Sequence, residues 1–366
     1  MKRSEKPSPG PRPLVADRYE LVEVAGKGGM AVVWRAFQHG DRGFVRPVAL
    51  KQMHDHLAEQ PAYVDMFVEE ARVGAVLHDP SIAEVYDFVA EDGQFYLVME
   101  WIDGIDLGTF VKHVFASGKK TPWELVAAVG IGVLRGLSAA HGRIADDGSV
   151  APIVHRDISP HNILLTRKGG VKIIDFGLSL ARDRGKVLTE PGIVKGKMSY
   201  LAPEIVMGKR PTPLSDQFAT GSVLWEALVG RKLFEGESDF DTYKKLRDAE
   251  VEGLKPNRAD VPAKLAKAIH RALAGHERDR FPSAGDMAQA LALVLRSAKV
   301  SRDIHGFVAA QVKDCRAQLH GEDESSSAAT PVAALSGELS AEIETEMDGP
   351  QRGLRHRLPA FLRRRL

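Results

Sequence analysis

Residues 153–179 read IVHRDISPHNILLTRKGGVKIIDFGLS, and this stretch, with the motifs on either side of it, decides the fold. Two short strand-like segments rich in β-branched residues lie next to loops of polar side chains. The first loop places Asp157 and Asn162 five residues apart, and Asp175 opens the second loop. Magnesium prefers oxygen ligands of these kinds and keeps several of its waters. The stretch therefore predicts a metal site at Asn162 and Asp175.

A glycine-rich turn and a pair of opposite charges precede this stretch. The turn AGKGGMAVV contributes Gly26, Gly28 and Gly29 between two predicted strands, and glycine lets the backbone approach phosphate oxygens because it has no Cβ. Lys51 of VALK lies on the third strand, and Glu70 lies on the helix that follows. Taken alone, a tight turn and two surface charges are the simpler interpretation. The order of HRDISPHN, DFG and APE downstream favours a phosphate-binding turn and a functional Lys51–Glu70 pair.

The rest of the chain predicts an α+β fold of two lobes. Five short strands surround one helix that begins at Pro61, and an Asp92-Gly93 turn joins the last two strands. From Leu107 onward the pattern changes to long apolar-periodic segments, which indicates a mostly helical lobe. These helical segments are 122–141, 215–229, 262–274 and 283–297. We expect a small antiparallel N-lobe with one regulatory helix over 14–101 and a larger helical C-lobe over 102–297.

Both ends of the chain differ in composition from the lobes. Residues 1–13 are rich in proline, serine and basic residues, which predicts a disordered lead. Residues 298–366 contain an acidic serine-rich stretch and end in QRGLRHRLPAFLRRRL, so we expect a largely disordered linker and a basic tail. The tail could form an amphipathic helix for anionic lipid or an acidic partner, stay solvated, or fold back as an autoinhibitory segment. A regulatory partner that acts through this tail is therefore one expectation.

Composition excludes several classes of function. Lys+Arg number 50 against 49 Asp+Glu, so the net charge of +1 gives no reason to expect nucleic acid or a membrane surface as partner. Cys315 is the single cysteine, which rules out an intramolecular disulfide and a multi-cysteine metal site and fits a reducing cytoplasm. The basic N-terminus runs into prolines, and the apolar run Leu125–Leu134 is too short to span a bilayer. We therefore expect a cytoplasmic protein with no signal peptide and no transmembrane anchor.

The ordered motifs resemble those of the eukaryotic-like (Hanks-type) protein kinases and, within them, the bacterial serine/threonine kinases. The resemblance covers about residues 19–297. It implies the two-lobed kinase fold, ATP and Mg²⁺, and transfer of the γ-phosphate to Ser or Thr of protein substrates, including the kinase itself. In this chemistry Asp157 accepts the proton of the substrate hydroxyl, while Lys51 and Glu70 position the phosphates. Asn162 and Asp175 hold the metal ions.

The resemblance also assigns the nucleotide pocket. The backbone of Glu100 and Ile102 would contact adenine, Met99 would be the gatekeeper, and Asp106 would lie near the ribose. Base or phosphate contacts are further implied for Gly26, Lys27, Gly28, Gly29, Val33, Ala49, Lys51 and Leu164.

Further matches to the family are structural. Glu204 should pair with Arg280, and Asp216 should support the catalytic loop. His155 and Phe176 look like core residues that pack behind the site.

The sequence departs from the family pattern at several positions. Ala31 replaces the third loop glycine, and Gly74 replaces a bulkier residue one turn after Glu70, so that the helix should dock loosely. Ser159 stands where serine/threonine kinases carry a lysine that contacts the γ-phosphate, and Lys197 stands where they carry a threonine. We hypothesise that Lys197 takes over the charge of the missing lysine, with Ser159 bracing it. The alternative is that Lys197 points to solvent and binds acidic substrate.

The segment between DFG and APE carries the candidate regulatory residues. Arg156 precedes the catalytic Asp, and in the family such an arginine receives a phosphate from this segment. Thr189 is the first candidate acceptor and Ser199 the second.

Three alternatives to a serine/threonine kinase remain open. A pseudokinase that holds nucleotide as a scaffold finds support in Ser159 alone, because the other catalytic residues are intact. A small-molecule phosphotransferase would share the metal ligands, but SYLAPE is typical of a peptide platform. Tyrosine kinases also lack the lysine, although they usually carry arginine where His161 stands here.

Overall fold

The computed structural model describes residues 14–145, 147–176, 198–298 and 303–324. The predictions made for 1–13 and for the basic tail lie outside these residues. The strands are β1 Leu14–Val15, β2 Tyr19–Lys27, β3 Ala31–His39, β4 Val45–Met53, β5 Val85–Glu91, β6 Gln94–Glu100, β7 Gly104–Asp106, β8 Ile163–Thr166 and β9 Val171–Ile173. The helices are α1 Asp55–Ala58, α2 Pro61–Ala75, α3 Leu107–Ala116, α4 Trp123–His141, α5 Pro203–Val206, α6 Pro213–Val229, α7 Asp239–Arg247, α8 Leu254–Asn257, α9 Ala263–Ala272, α10 Ala284–Ser297 and α11 Ile304–Glu324. The α+β, two-lobed arrangement is as predicted.

The N-lobe is a six-stranded antiparallel sheet in the order β1-β2-β3-β4-β6-β5. A turn joins β5 to β6 at Asp92 and Gly93, which both have positive φ, as the sequence predicted. The two edges of the curved sheet are tied by Asp87 of β5, which accepts hydrogen bonds from Arg18 at 2.5 Å and from the Tyr19 hydroxyl at 2.9 Å. These contacts link β5, at one end of the strand order, to the beginning of β2.

Helix α2 packs closely against this sheet at Gly74. A Cβ atom built on Gly74 would lie 2.3 Å from Val85 Cγ2 on β5, so no larger residue fits there without movement. Glu70, one turn earlier on the same face, reaches Lys51 on β4. The expectation that Gly74 makes the helix dock loosely is therefore wrong, because the missing side chain is what allows the close approach.

The C-lobe is built around α4 and α6, whose apolar residues form one large core with α9 and α10. Among the described residues α4 has the length and composition of a membrane span, but more than half of its apolar window is buried in this core. The predicted pair of Glu204 and Arg280 is confirmed, with two hydrogen bonds of 2.7 Å between fully buried side chains. This pair joins α5 to the segment before α10.

Helix α11 corrects the sequence prediction. The linker expected from residue 298 onward is wrong for residues 304–324, which form a helix on the C-lobe. Val308, Val312 and Cys315 are buried in the C-lobe core, and they recur at helical spacing. The acidic composition of the surrounding sequence concealed this apolar face.

Candidate active site

An ion triad of two buried residues, Lys51 and Glu70, and the half-buried Asp175 lies between the two lobes. Lys51 Nζ donates to Glu70 Oε1 at 2.7 Å and to Asp175 Oδ1 at 2.9 Å. Burial would lower the pKa of Lys51, but the carboxylates of Asp175 and Glu70 outweigh it and raise this pKa above its usual value. Burial also raises the pKa of Glu70, although the Lys51 ammonium opposes that shift. The triad thus brings together α2, β4 and the start of DFG, three elements far apart in sequence.

The loop after Ile153 and Val154 holds the second half of the site. Asn162 Nδ2 donates to the backbone oxygen of Asp157 at 2.7 Å and to its carboxylate at 3.2 Å. His155 lies beneath the loop, where its ring packs edge-on against Phe176 at 4.5 Å and its Nε2 donates to the Ile174 carbonyl at 3.0 Å. Both His155 and Phe176 are buried, as predicted for core residues.

Asp216 at the start of α6 fixes the backbone of this loop. Its carboxylate accepts from the backbone N–H of His155 at 2.8 Å and of Arg156 at 2.9 Å. It also accepts from His141 Nε2 at 2.8 Å, a contact that sequence analysis missed.

Arg156 and Asp175 both have positive φ, a conformation that non-glycine residues adopt at a cost of about 1–3 kcal/mol and that surrounding contacts must hold. The predicted supporting role of Asp216 agrees with this geometry.

The donor set fits magnesium bound together with a nucleotide. Among the described residues there is no group of three or more His, Cys, Asp and Glu side chains that could hold a metal without further ligands. Magnesium is commonly held by one or two protein oxygens, substrate phosphates and water, so a complete protein cage is not needed. Asn162 donates through its amide nitrogen, which leaves the amide oxygen as an acceptor. Asp175 supplies a carboxylate beside the Lys51 cation.

The glycine-rich turn joins β2 to β3. Gly28 N–H donates to the Ala31 carbonyl at 2.8 Å, and a Cβ on Gly29 would meet nothing within 4 Å, so this side of the turn is open. His54, directly after β4, donates from Nε2 to the Gly28 carbonyl at 2.8 Å. Sequence analysis missed His54, because no motif marks a residue that binds the turn from outside.

The residues predicted to surround the adenine lie on both lobes. Val33, Ala49 and Met99 are buried on the inner face of the N-lobe sheet. Leu164 on β8 is half-buried. The side chain of Glu100, at the end of β6, accepts from Lys172 at 2.7 Å. No contact of Ile102 tests its predicted role, so the hinge contacts stay a prediction.

Asp106 has contacts that the sequence did not reveal. It is buried, and its Oδ1 accepts from the backbone of Thr109 at 2.9 Å as the N-cap of α3 and from His161 Nδ1 at 2.8 Å. A Cβ on Gly108 would lie 2.6 Å from the His161 ring, so glycine leaves the space for it. The hydrogen bond to Asp106 raises the pKa of His161, although burial opposes the shift. Proximity of Asp106 to a ribose stays a prediction.

The remaining predicted residues, Ser159 and those before APE, are only partly covered by the described segments. Ser159 is buried next to the turn that carries Asn162. Ser199 is also buried, in a 3-10 turn, so it would have to become exposed before a kinase could modify it. Tyr200, its neighbour, donates to Glu226 of α6 at 2.8 Å. Lys197 and Thr189 lie outside the described residues.

Comparison with known proteins finds similarity to protein kinases in sequence and in structure. A model of the protein kinase domain matches residues 19–292. Tyrosine-protein kinase MasK of Myxococcus xanthus is 37% identical over 75% of this chain and 42% of its own length. Serine/threonine-protein kinase PrkC of Bacillus subtilis is 31% identical over 91% of this chain and 48% of its own length. The chain thus spans less than half the length of these two relatives. The crystal structure of the PknI kinase domain of Mycobacterium tuberculosis superposes with a TM-score of 0.57 and 26% identity, over 78% of this chain and 99% of that domain.

Proposed function

The chain belongs to the protein kinase domain family, and we propose that it transfers the γ-phosphate of ATP to serine and threonine hydroxyls of proteins. The observation that carries this proposal is the ion triad, in which buried Lys51 binds Glu70 and Asp175 at once. Protein kinases need this Lys–Glu pair in place, and they need the DFG aspartate in position to hold magnesium. Burying Lys51 and Glu70 is costly unless the two are paired, and a scaffold that never turns over nucleotide has no need to keep both beside Asp175.

Each part of the site has a role in the proposed reaction. Lys51 binds phosphate oxygens of ATP, and the open side of the glycine turn covers them. Asp157 orients the substrate hydroxyl and accepts its proton, while Asn162 holds the carboxylate of Asp157 in place. Magnesium, held by Asn162 and Asp175, would neutralise charge that develops on the phosphates.

The test is transfer of radiolabelled phosphate from ATP, with magnesium, to myelin basic protein and to the chain itself. We expect incorporation by the wild type and a loss of at least about a hundredfold in Asp157→Asn, because the general base is removed. Binding of ATP with no transfer by the wild type, with manganese as well as magnesium, would favour the pseudokinase instead.

Tyrosine specificity is the second candidate, and the name of MasK is the observation that favours it. The sequence supports it at one position, because Ser159 replaces the lysine expected of serine/threonine kinases. Acid hydrolysis of the labelled product, followed by identification of the phosphoamino acids, distinguishes the two specificities. Phosphoserine and phosphothreonine are expected, and phosphotyrosine alone would overturn the serine/threonine assignment.

Two finer parts of the proposal concern the segment before APE. Lys197 supplies the charge that Ser159 lacks, so Ser159→Lys with Lys197→Thr should recover activity that each single change loses. Purely additive losses would contradict the exchange. Thr189 is the proposed autophosphorylation site, with Arg156 as its phosphate partner. Mass spectrometry after incubation with ATP should find phosphate on Thr189, and its absence there would exclude that site.

The proposed setting is cytoplasmic signalling. ATP and protein substrates are the partners that the family implies. The basic tail, with six arginines from Arg352 to Arg365, is the proposed contact for a regulatory partner. Deletion of residues 350–366 should change the response to that partner without loss of basal transfer.

A further inference from the structure

Helix α11 is fixed on the C-lobe by specific contacts. The helix has a buried apolar face, and its first turn adds a polar contact. His305 donates from Nδ1 to the Gly169 carbonyl at 3.1 Å. A Cβ on Gly169, whose φ is +81°, would lie 1.9 Å from the His305 carbonyl oxygen, so the backbones touch at this point. At the other end of the helix, His113 of α3 and Gln318 form a hydrogen bond of 3.0 Å. The helix is therefore held in one position along its length.

This position places Arg316 beside the connection between the lobes. Arg316 Nη1 lies 2.5 Å from Asp103 Oδ1, and Arg167 Nη1 lies 3.0 Å from Asp103 Oδ2. Arg316 is the more buried of the two arginines, with 21% of its side chain exposed against 64% for Arg167. Partial burial would raise the pKa of Asp103, but the hydrogen bonds from both arginines lower it below its usual range. Asp103 is thus a carboxylate shared by two cations from different elements.

Asp103 lies where the chain leaves the N-lobe. It follows Glu100, the last residue of β6, by three positions and comes directly before β7. Its backbone carbonyl accepts from Arg167 N–H at 2.9 Å, and Arg316 also approaches the Gly104 carbonyl at 3.5 Å. The exit of the hinge is therefore held through the backbone by Arg167, the residue after β8, and through a side chain by α11. The two residues proposed to bind adenine lie immediately upstream.

We propose that Arg316 is a positioning residue for nucleotide binding, which acts through Asp103 to hold the hinge in its adenine-binding geometry. This inference rests on the proposed function, since it concerns the same nucleotide site. Without Arg316, Asp103 keeps only its contacts to Arg167 among the described residues, so part of the order of the hinge must be gained when ATP binds. That cost applies equally to the ground state and the transition state. The KM for ATP should therefore rise while kcat changes little. Because the ion pair is partly exposed and screened, the rise should be roughly three- to fivefold.

The experiment compares Arg316→Ala with Lys313→Ala in the full chain. Lys313 is exposed on the same helix, three residues earlier, so it controls for helix propensity and for loss of charge. The dissociation constant of Mg-ATP is measured by calorimetry, and KM and kcat are measured by phosphate transfer. Arg316→Ala should raise the dissociation constant and KM by the stated factor, and Lys313→Ala should leave both unchanged. Asp103→Asn, which loses the ion pairs to both arginines, should raise the dissociation constant at least as much as Arg316→Ala. The double variant should be less than additive.

Equal ATP affinity in Arg316→Ala and Lys313→Ala, or strictly additive effects of Arg316→Ala and Asp103→Asn, would overturn the proposal. If Arg316→Ala does not fold, Asp103→Asn carries the same test, because it leaves the apolar contacts of α11 in place. A fall in kcat at unchanged KM would also contradict a positioning role. A wild type that binds ATP but transfers no phosphate would refute the proposed function alone, and the calorimetric comparison would still decide the role of Arg316.

Discussion

Replacing Gly74 by alanine should force helix α2 away from the N-lobe sheet. The new Cβ would lie 2.3 Å from Val85 Cγ2 and 3.1 Å from Val85 Cβ. Val85 has little freedom to turn aside, because β-branched side chains have few χ1 choices and its strand is paired to β6 opposite Met99. The helix therefore has to move.

The size of this movement follows from ordinary contact distances. Two carbon atoms pack at about 3.5–4.0 Å, so the separation at Gly74 must grow by roughly 1.2–1.7 Å. The same shift one turn earlier would stretch the 2.7 Å contact between Glu70 and Lys51 to about 4 Å, beyond the range of a hydrogen bond. Alanine gains about 1 kcal/mol in helix propensity, while overpacking costs about 1–3 kcal/mol. The free energy of unfolding should thus fall by about 0–2 kcal/mol.

Peptide phosphorylation and urea denaturation test this chain of effects. Because misplaced phosphates react slowly, kcat/KM should fall by about tenfold to a hundredfold in Gly74→Ala. Val85→Ala in the same chain makes room for the new methyl group and should restore most of the activity. Gly74→Ala with wild-type activity and about 1 kcal/mol of added stability would show that propensity alone acts at this position, and would refute the steric argument. So would a double variant no more active than Gly74→Ala.

Three further changes have defined outcomes. Arg280→Met leaves Glu204 buried without its cation and should lower the free energy of unfolding by about 3–5 kcal/mol in urea denaturation. The raised pKa of His161 means that its pairing with Asp106 stabilises the fold fully below about pH 6.5 and less as pH rises through the folded-state pKa. The stability difference between wild type and His161→Asn should therefore be larger at acid pH than at alkaline pH. His54→Ala removes the hydrogen bond to the glycine turn and should raise the KM for ATP by about two- to tenfold.

Matched controls separate these outcomes from general damage. Arg247→Ala removes an arginine whose partner Asp248 is also exposed, so it should cause only a slight loss of stability. A loss that small in Arg280→Met would contradict the buried-pair argument. The ring of His56 stacks on that of His54 but makes no contact with the glycine turn in the described residues, so His56→Ala should leave the KM for ATP unchanged. A stability difference for His161→Asn that does not vary with pH would show that its proton plays no part.

The motif residues could be predicted because phosphoryl transfer restricts both their type and their order. Lys51 and Asp175 are 124 positions apart, yet Lys51 Nζ lies within 3 Å of both Asp175 and Glu70. The motifs predicted its pairing with Glu70. The pair of Glu204 and Arg280 was predictable for a similar reason, since a buried carboxylate requires a partner and the family pattern supplies it. Chemistry of this kind leaves few alternatives at each position.

Contacts that support the site could not be predicted in this way. His54 binds Gly28 and His161 binds Asp106, because tertiary packing brings these surfaces together. Helix α11 did leave a signal, with apolar residues at helical spacing, but acidic neighbours masked it.

The sequence by itself determined the fold and the order of the motif residues, because these follow from residue type, periodicity and spacing. Only the tertiary structure decided how those residues are held. Gly74 tightens the contact of α2, and Arg316 reaches Asp103 across 213 positions. Neither contact is encoded by a local pattern, since a steric fit or an ion pair between distant segments depends on where the whole chain places its backbone.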